Sequence, residues 1–338
     1  QDLLINHSSY QLFTREVSAR LTYDMEYFSR LFDGKPVYPH ILEIHLRTVC
    51  NSNCKMCFSH SIDYEERGKE RVITEENLFR LLKECADNGV RQIWFSGGEE
   101  PLMSALTIKA MAKAQQSGLI TRLYTNGELL STSAREIVIE CSQVRISMNA
   151  VTAETYDSIH FPGDAREAIH RRSGKGVFHK VCRNVKALVE LKKKRGASVK
   201  IAVSQIIQPD NYSELYDFVS LAYGMGVDSV QIRAESVGST RYFSEEEKQV
   251  ILSQVELIKE AQSAGEYGTM ELDLRGVSRS ELDAVKSVSQ FYPKMKKADV
   301  CRSGALKRGM NPYGAIYHCE FSAHPRSKNI AASHGLRF

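Results

Sequence analysis

No run of 18 apolar residues occurs anywhere in the 338-residue chain, so no membrane-spanning helix is expected. The opening residues, Gln1-Asp-Leu-Leu-Ile-Asn, lack the positive cluster and apolar stretch of a secretory signal. Because it starts on Gln1 rather than Met, a few residues are expected ahead of it. An excess of one charge is missing too: 45 Lys and Arg stand against 41 Asp and Glu, a formal net charge of +4. The one basic run, Lys192-Lys193-Lys194-Arg195, closes a predicted helix, where cations suit the dipole. No nucleic-acid partner is therefore expected. Residues 1–39 are too few for a separate peptide-recognition domain. Eight cysteines are present, but three fall between positions 50 and 57. That crowding is metal-type and not a secreted disulfide framework, and a reducing, cytoplasmic setting is the expectation.

The chain is organised around the stretch from His45 to His60, which places Cys50, Cys54 and Cys57 on one loop. An apolar strand carrying Ile41, Leu42, Ile44 and Leu46 runs into it, so the thiols sit at a strand's C-terminal end. Parallel α/β folds keep their chemistry there. Three thiolates at this spacing suit a four-iron cluster that normally takes four cysteines, which leaves one iron open. An open metal position is a catalytic arrangement. A zinc site completed by His45 or His60 is the alternative for the same residues. A second strand ends in Gly97 and Gly98, followed by Glu99, Glu100, Pro101 and Leu102. Paired glycines let a backbone approach a ligand closely, because no Cβ intervenes.

Cys-x3-Cys-x2-Cys with Phe58 after the last cysteine resembles the signature of the radical S-adenosylmethionine (radical SAM) superfamily. The resemblance implies that Cys50, Cys54 and Cys57 hold a [4Fe–4S] cluster whose open iron is chelated by SAM. It further implies that an electron, from a flavodoxin- or ferredoxin-type reductase, cleaves SAM to a radical that removes hydrogen from a substrate. The segment Gly97-Gly98-Glu99-Glu100-Pro101 resembles the family's Gly-Gly-Glu-Pro motif, which holds the SAM amino group. One extra glutamate leaves open whether Glu99 or Glu100 faces SAM. By the same resemblance Phe58, Asn126, Ser147 and Asn149 are candidates for the cofactor site, the last two for the SAM ribose. Arg233 is a candidate for a carboxylate of SAM or substrate, or else pairs with Glu235 or Asp228.

From residue 40 the pattern alternates. Strands are predicted over 40–47, 91–96, 120–125, 143–149, 199–207 and 228–234, with helices over 74–88, 104–117, 131–141, 177–195, 211–225 and 244–263. Strands separated by helices imply βαβ units and a parallel sheet. The fold class expected is α/β, a partial (β/α)6 TIM-like barrel over 40–236. A helical extension over 1–39, with a helix from Tyr10 to Leu31, precedes it, and 237–338 forms a C-terminal cap. Residues 156–180 interrupt the rhythm with His160, His170, Arg171, Arg172, Lys175, His179 and Lys180. They read as a polar loop suited to an anionic or hydroxyl-rich ligand, or as plain solvated surface. Cys85, Cys141 and Cys182 sit among apolar helix neighbours and are assigned to packing.

Near the C-terminus, Asn311-Pro-Tyr-Gly314 reads as the turn of a short hairpin. The region resembles the SPASM/twitch appendages of radical SAM enzymes, which makes Cys301 and Cys319 candidates for an auxiliary iron–sulfur cluster. Two cysteines are fewer than such a cluster needs, so a twitch-like hairpin without a second cluster is favoured. The expected function is hydrogen abstraction from a small, sugar-containing biosynthetic intermediate. A peptide-modifying enzyme is the alternative, and a zinc-stabilised binding protein without catalysis is the alternative of another class.

Overall fold

The structure is a computed structural model. It describes residues 37–46, 50–57, 73–97, 99–162, 176–234, 243–274, 277–284, 307–310 and 316–317, with 29, 30 and 33. Among the described residues nine strands form one sheet: β1 (Ile41–Ile44), β2 (Gln92–Phe95), β3 (Ile120–Thr125), β4 (Gln143–Ser147), β5 (Lys200–Ile207), β6 (Ser229–Ala234), β7 (Glu271–Asp273), β8 (Lys307–Met310) and β9 (Ile316–Tyr317). Their order is β7-β6-β5-β4-β3-β2-β1-β8-β9. Each neighbouring pair from β7 across to β8 is parallel, and only β8–β9 is antiparallel. Sequential strands that are neighbours in space are what repeated βαβ units produce.

The helices are α1 (Glu75–Asp87), α2 (Ala105–Gln116), α3 (Thr132–Val138), α4 (Ala153–His160), α5 (Val177–Arg195), α6 (Leu215–Met225), α7 (Glu245–Ser263) and α8 (Arg279–Ala284). Local chemistry sets their ends. Thr74 accepts the Asn77 N–H at 3.3 Å and Ser131 accepts the Ala134 N–H at 3.2 Å, capping α1 and α3. Ser244 and Glu247 close a reciprocal capping box on α7. The helix-facing side of the strands, with Leu42, Ile44, Ile93, Phe95, Leu123, Val144, Ile146, Ile201 and Val203, is buried against the helix layer.

Three features depart from the sequence reading. Part of the expected 156–180 loop is helix: α4 buries Tyr156, Ile159 and His160, an i, i+3, i+4 stripe that marks one helix face. The βα order does not stop at six strands, because β7 continues the parallel sheet beside β6. The hairpin strands β8 and β9 join the same sheet, with β8 against β1. The helix expected from Tyr10 to Leu31 lies outside the described residues, apart from helical Ser29 and Arg30. No described helix is long and apolar enough to cross a membrane.

Candidate active site

Seven parallel strands curl so that their other faces line one cavity of about 650 Å³. Alternation along each strand sends every second side chain inward. Glu43, Trp94, Arg122, Tyr124, Gln143, Arg145, Ser147, Lys200, Gln231, Arg233, Glu271 and Asp273 all reach it. The Arg122 guanidinium lies 5.2 Å from the Trp94 ring centre and that of Arg145 4.3 Å from the Tyr124 ring centre, both cation–π distances. Arg145 donates to Gln231 Oε1 at 2.8 Å, and Gln231 donates to Asp273 Oδ2 at 2.7 Å. Lys200 pairs with Glu271 at 2.5 Å, and Arg233 comes within 4.0 Å of Asp273. Asp228, one partner offered for Arg233 by the sequence, instead pairs with Lys192, and Glu235 lies outside the described residues.

Above this polar wall sit Cys50, Cys54 and Cys57, all reduced and partly buried on the loop after β1. The loop is held from two sides. Asn126, past the end of β3, donates its Nδ2 to Asn51 Oδ1 at 2.7 Å and to Ser52 Oγ at 3.3 Å. Asn51 donates to Glu128 Oε2 at 2.7 Å, and Glu128 is also paired with Lys180. From α4, the carbonyls of His160 and Ile159 accept the Asn53 and Lys55 N–H groups, each at 2.9 Å. Burial pushes the Cys50 thiol up to about 12, against a lowering by the Ser52 N–H that donates to its sulfur. Burial likewise pushes Cys54 well up. Such thiols stay protonated until a metal takes the proton's place.

Gly97 has φ +146°, and a Cβ there would lie 2.7 Å from the Glu99 carboxylate. Only glycine holds this backbone so close to that side chain. The two glutamates are distinguished by their partners. Glu100 accepts from Thr125 Oγ1 at 2.7 Å, Asn126 N at 2.7 Å and Leu102 N at 3.0 Å, so it ties the Gly-Gly segment to the end of β3. Burial raises its carboxyl to about 7 despite these donors. Glu99 is left as the glutamate beside Gly97.

The structure brings Cys50, Cys54, Cys57, Gly97, Glu99, Glu100, Asn126, Ser147, Asn149 and Arg233 to one cavity. Asn149 differs from Ser147 in being 1% exposed, with its Oδ1 accepting the Ile206 N–H at 2.8 Å. Phe58, Gly98, Cys301 and Cys319 lie outside the described residues. Sequence reasoning missed Trp94, Arg122, Arg145 and Lys200. The signal was a polar or aromatic residue at every second position of strands whose other positions are apolar, a face too polar for a packed barrel core. Among the described residues no three Cys, His, Asp or Glu side chains are gathered around one metal ion. His60, one of the two histidines offered for a zinc site, lies outside those residues.

The model of the radical SAM superfamily matches residues 44–222, more than half of the chain. A probable GTP 3',8-cyclase of Saccharolobus islandicus is 22% identical over 200 residues, 59% of this chain and 57% of that protein. The chain thus spans little more than half the length of that relative. An S-adenosylmethionine-dependent nucleotide dehydratase of Lacinutrix mariniflava is 32% identical over 93 residues, 27% of this chain and 19% of that one. Among solved structures, Streptococcus suis SuiB bound to the precursor peptide SuiA superposes with a TM-score of 0.61 at 14% identity, over 97% of this chain and 68% of that one. Native anSMEcpe with bound AdoMet gives a TM-score of 0.55 at 18% identity, over 83% of this chain and 75% of that one. At these identities the solved structures speak to the fold, a partial α/β barrel. With the matched family model spanning the cysteine loop, the Gly-Gly segment and four of the parallel strands, this chain is an enzyme of the radical SAM superfamily.

Proposed function

We propose that the chain abstracts hydrogen from a small, anionic, sugar-containing metabolite of the nucleotide class. The single observation that carries this is the inner wall, where Arg122 and Arg145 face the cavity over aromatic rings, while Lys200 and Arg233 are matched by Glu271 and Asp273. The donor set also suits the family's cofactors: three thiols share the cavity with the Gly97–Glu99 cradle. When bound, the [4Fe–4S] cluster and SAM supply the radical that takes the hydrogen atom. Cys50, Cys54 and Cys57 hold the cluster. The Gly97 backbone and Glu99 orient the SAM amino group, and Glu100 holds that segment against β3. Ser147, at the end of β4 and on the cavity wall, would bond the SAM ribose.

Arg122 and Arg145 offer planar, bidentate donors to phosphate or carboxylate. Trp94 and Tyr124 hold two guanidiniums in place and give a flat surface for a sugar or base. The relatives named as a GTP cyclase and a nucleotide dehydratase are in keeping with a ribose-bearing anion. A peptide substrate is the second reading, favoured by the superposition on SuiB with its precursor peptide over 97% of the chain. A reductase of the flavodoxin or ferredoxin type supplies the electron in either case.

The test is anaerobic incubation of reconstituted protein with SAM, reductant and ribose-deuterated nucleotides, beside a panel of peptides. Deuterium arriving in 5′-deoxyadenosine from a nucleotide, and from no peptide, is the expected result. Turnover stimulated by peptides alone would overturn the nucleotide reading and leave the peptide one.

A further inference from the structure

Cys54 does not face the site alone. Its Sγ lies 3.0 Å from Nδ1 of His160, 106 positions away at the end of α4. His160 is 1% exposed, and its ring stacks on Tyr156 with centroids 4.2 Å apart and planes 24° apart. The ring therefore has little freedom to turn. A neutral imidazole has one N–H donor and one acceptor nitrogen.

The far nitrogen, Nε2, has two neighbours of opposite kind. Met148 O is 3.1 Å away and can only accept. Asn149 Nδ2 is 3.4 Å away and can only donate. The orientation of that amide is set from elsewhere, because Asn149 Oδ1 takes the Ile206 N–H at 2.8 Å. Asn149 also has φ +59°, a left-handed conformation that among non-glycine residues asparagine adopts most readily. Asn211 holds it there by donating to its carbonyl at 2.7 Å.

This arrangement gives each neutral tautomer a partner. With the proton on Nε2, His160 donates to Met148 O and Nδ1 accepts from the Cys54 S–H. With the proton on Nδ1, His160 donates to Cys54 Sγ and Nε2 accepts from Asn149. A sulfur bonded to iron carries no hydrogen and can only accept, so only the second arrangement suits the loaded protein. We propose that His160 is a positioning residue of the cluster, which donates its Nδ1–H to Cys54 Sγ and thereby fixes that ligand and raises the cluster's reduction potential. Hydrogen bonds to cluster sulfurs favour the more negative, reduced state, and partners beyond the ligands orient them. The inference rests on the reading of Cys50, Cys54 and Cys57 as the ligands.

The test uses full-length reconstituted protein, wild type, His160→Asn and His160→Leu, with iron analysis and a redox titration followed by electron paramagnetic resonance. Asn keeps an N–H donor near the Nδ1 position and Leu has none. With equal iron in all three, the reduced-to-oxidised ratio at the wild-type midpoint should fall roughly threefold or more in His160→Leu and stay near wild type in His160→Asn. Wild-type protein carrying ¹⁵N-histidine should show a nitrogen coupling to the reduced cluster that His160→Asn lacks. This second readout decides the matter if His160→Leu takes up no iron. Identical potentials in loaded Leu and wild-type protein, or a loaded wild type without the coupling, would overturn the inference. A wild type that takes up no iron would sink the ligand reading and this inference with it.

Discussion

The two faces of the sheet are built by the same strands but from opposite chemistry. In β3, Leu123 is buried among aliphatic neighbours toward the helices, while Arg122 and Tyr124 on either side of it reach the cavity. In β4, Val144 and Ile146 face the helices and Gln143, Arg145 and Ser147 face inward. A closed TIM barrel fills its centre with branched apolar side chains and has no room there. Here the centre is polar, aromatic and about 650 Å³ in volume. The outward face supplies the hydrophobic stabilisation, and the inward face is left to bind. Stability and function are thus separable along one strand, residue by residue.

That separation can be broken most strongly from the outside. Leu123→Ala removes a fully buried side chain and should cost about 2–5 kcal/mol by denaturant unfolding. A loss similar to that of an inward substitution would erase the distinction. Glu100, buried between the faces, offers a pH test. Its carboxyl is raised to about 7 from 4.5, so the folded state keeps a proton that the unfolded chain releases. Its contribution therefore makes stability fall as pH rises from about 4.5 to 7, by at most about 3 kcal/mol. Comparing unfolding midpoints of iron-free wild type and Glu100→Gln across that range should show the slope flattened in the variant. Gly97→Ala sharpens the contrast at the cradle. The new Cβ meets the Glu99 carboxylate at a left-handed φ, a strain of about 1–3 kcal/mol, and SAM affinity measured by calorimetry should fall. Arg145→Leu should change stability least, by about 1 kcal/mol or less, because its ring contact and hydrogen bond are individually weak. Yet substrate-stimulated 5′-deoxyadenosine formation should drop about tenfold or more, the worth of one charge-assisted hydrogen bond.

Much of this was readable one element at a time. The strand over 120–125 and the helix over 177–195 match β3 and α5 residue for residue, because both carry clear periodicity and α5 ends at Gly196 with φ +62°. The cysteine loop and the Gly-Gly segment were visible as spacing. What was hidden depends on distant partners. Glu99 and Glu100 cannot be told apart until Thr125 and Asn126 come beside one of them. His160 looked like one of several histidines in a loop until the fold brought it to Cys54. The arginines held over aromatic rings were hidden for the same reason: Arg122 and Arg145 are separate strand residues until the sheet curls and brings them to one cavity.

The most direct test of the account is anaerobic iron and sulfide analysis of reconstituted wild-type protein beside a Cys50→Ala/Cys54→Ala/Cys57→Ala variant, each incubated with SAM and dithionite. About four irons in the wild type, none in the variant, and 5′-deoxyadenosine from the wild type alone are the predicted results. Zinc without iron in the wild type, or SAM cleavage that survives loss of the three cysteines, would contradict it.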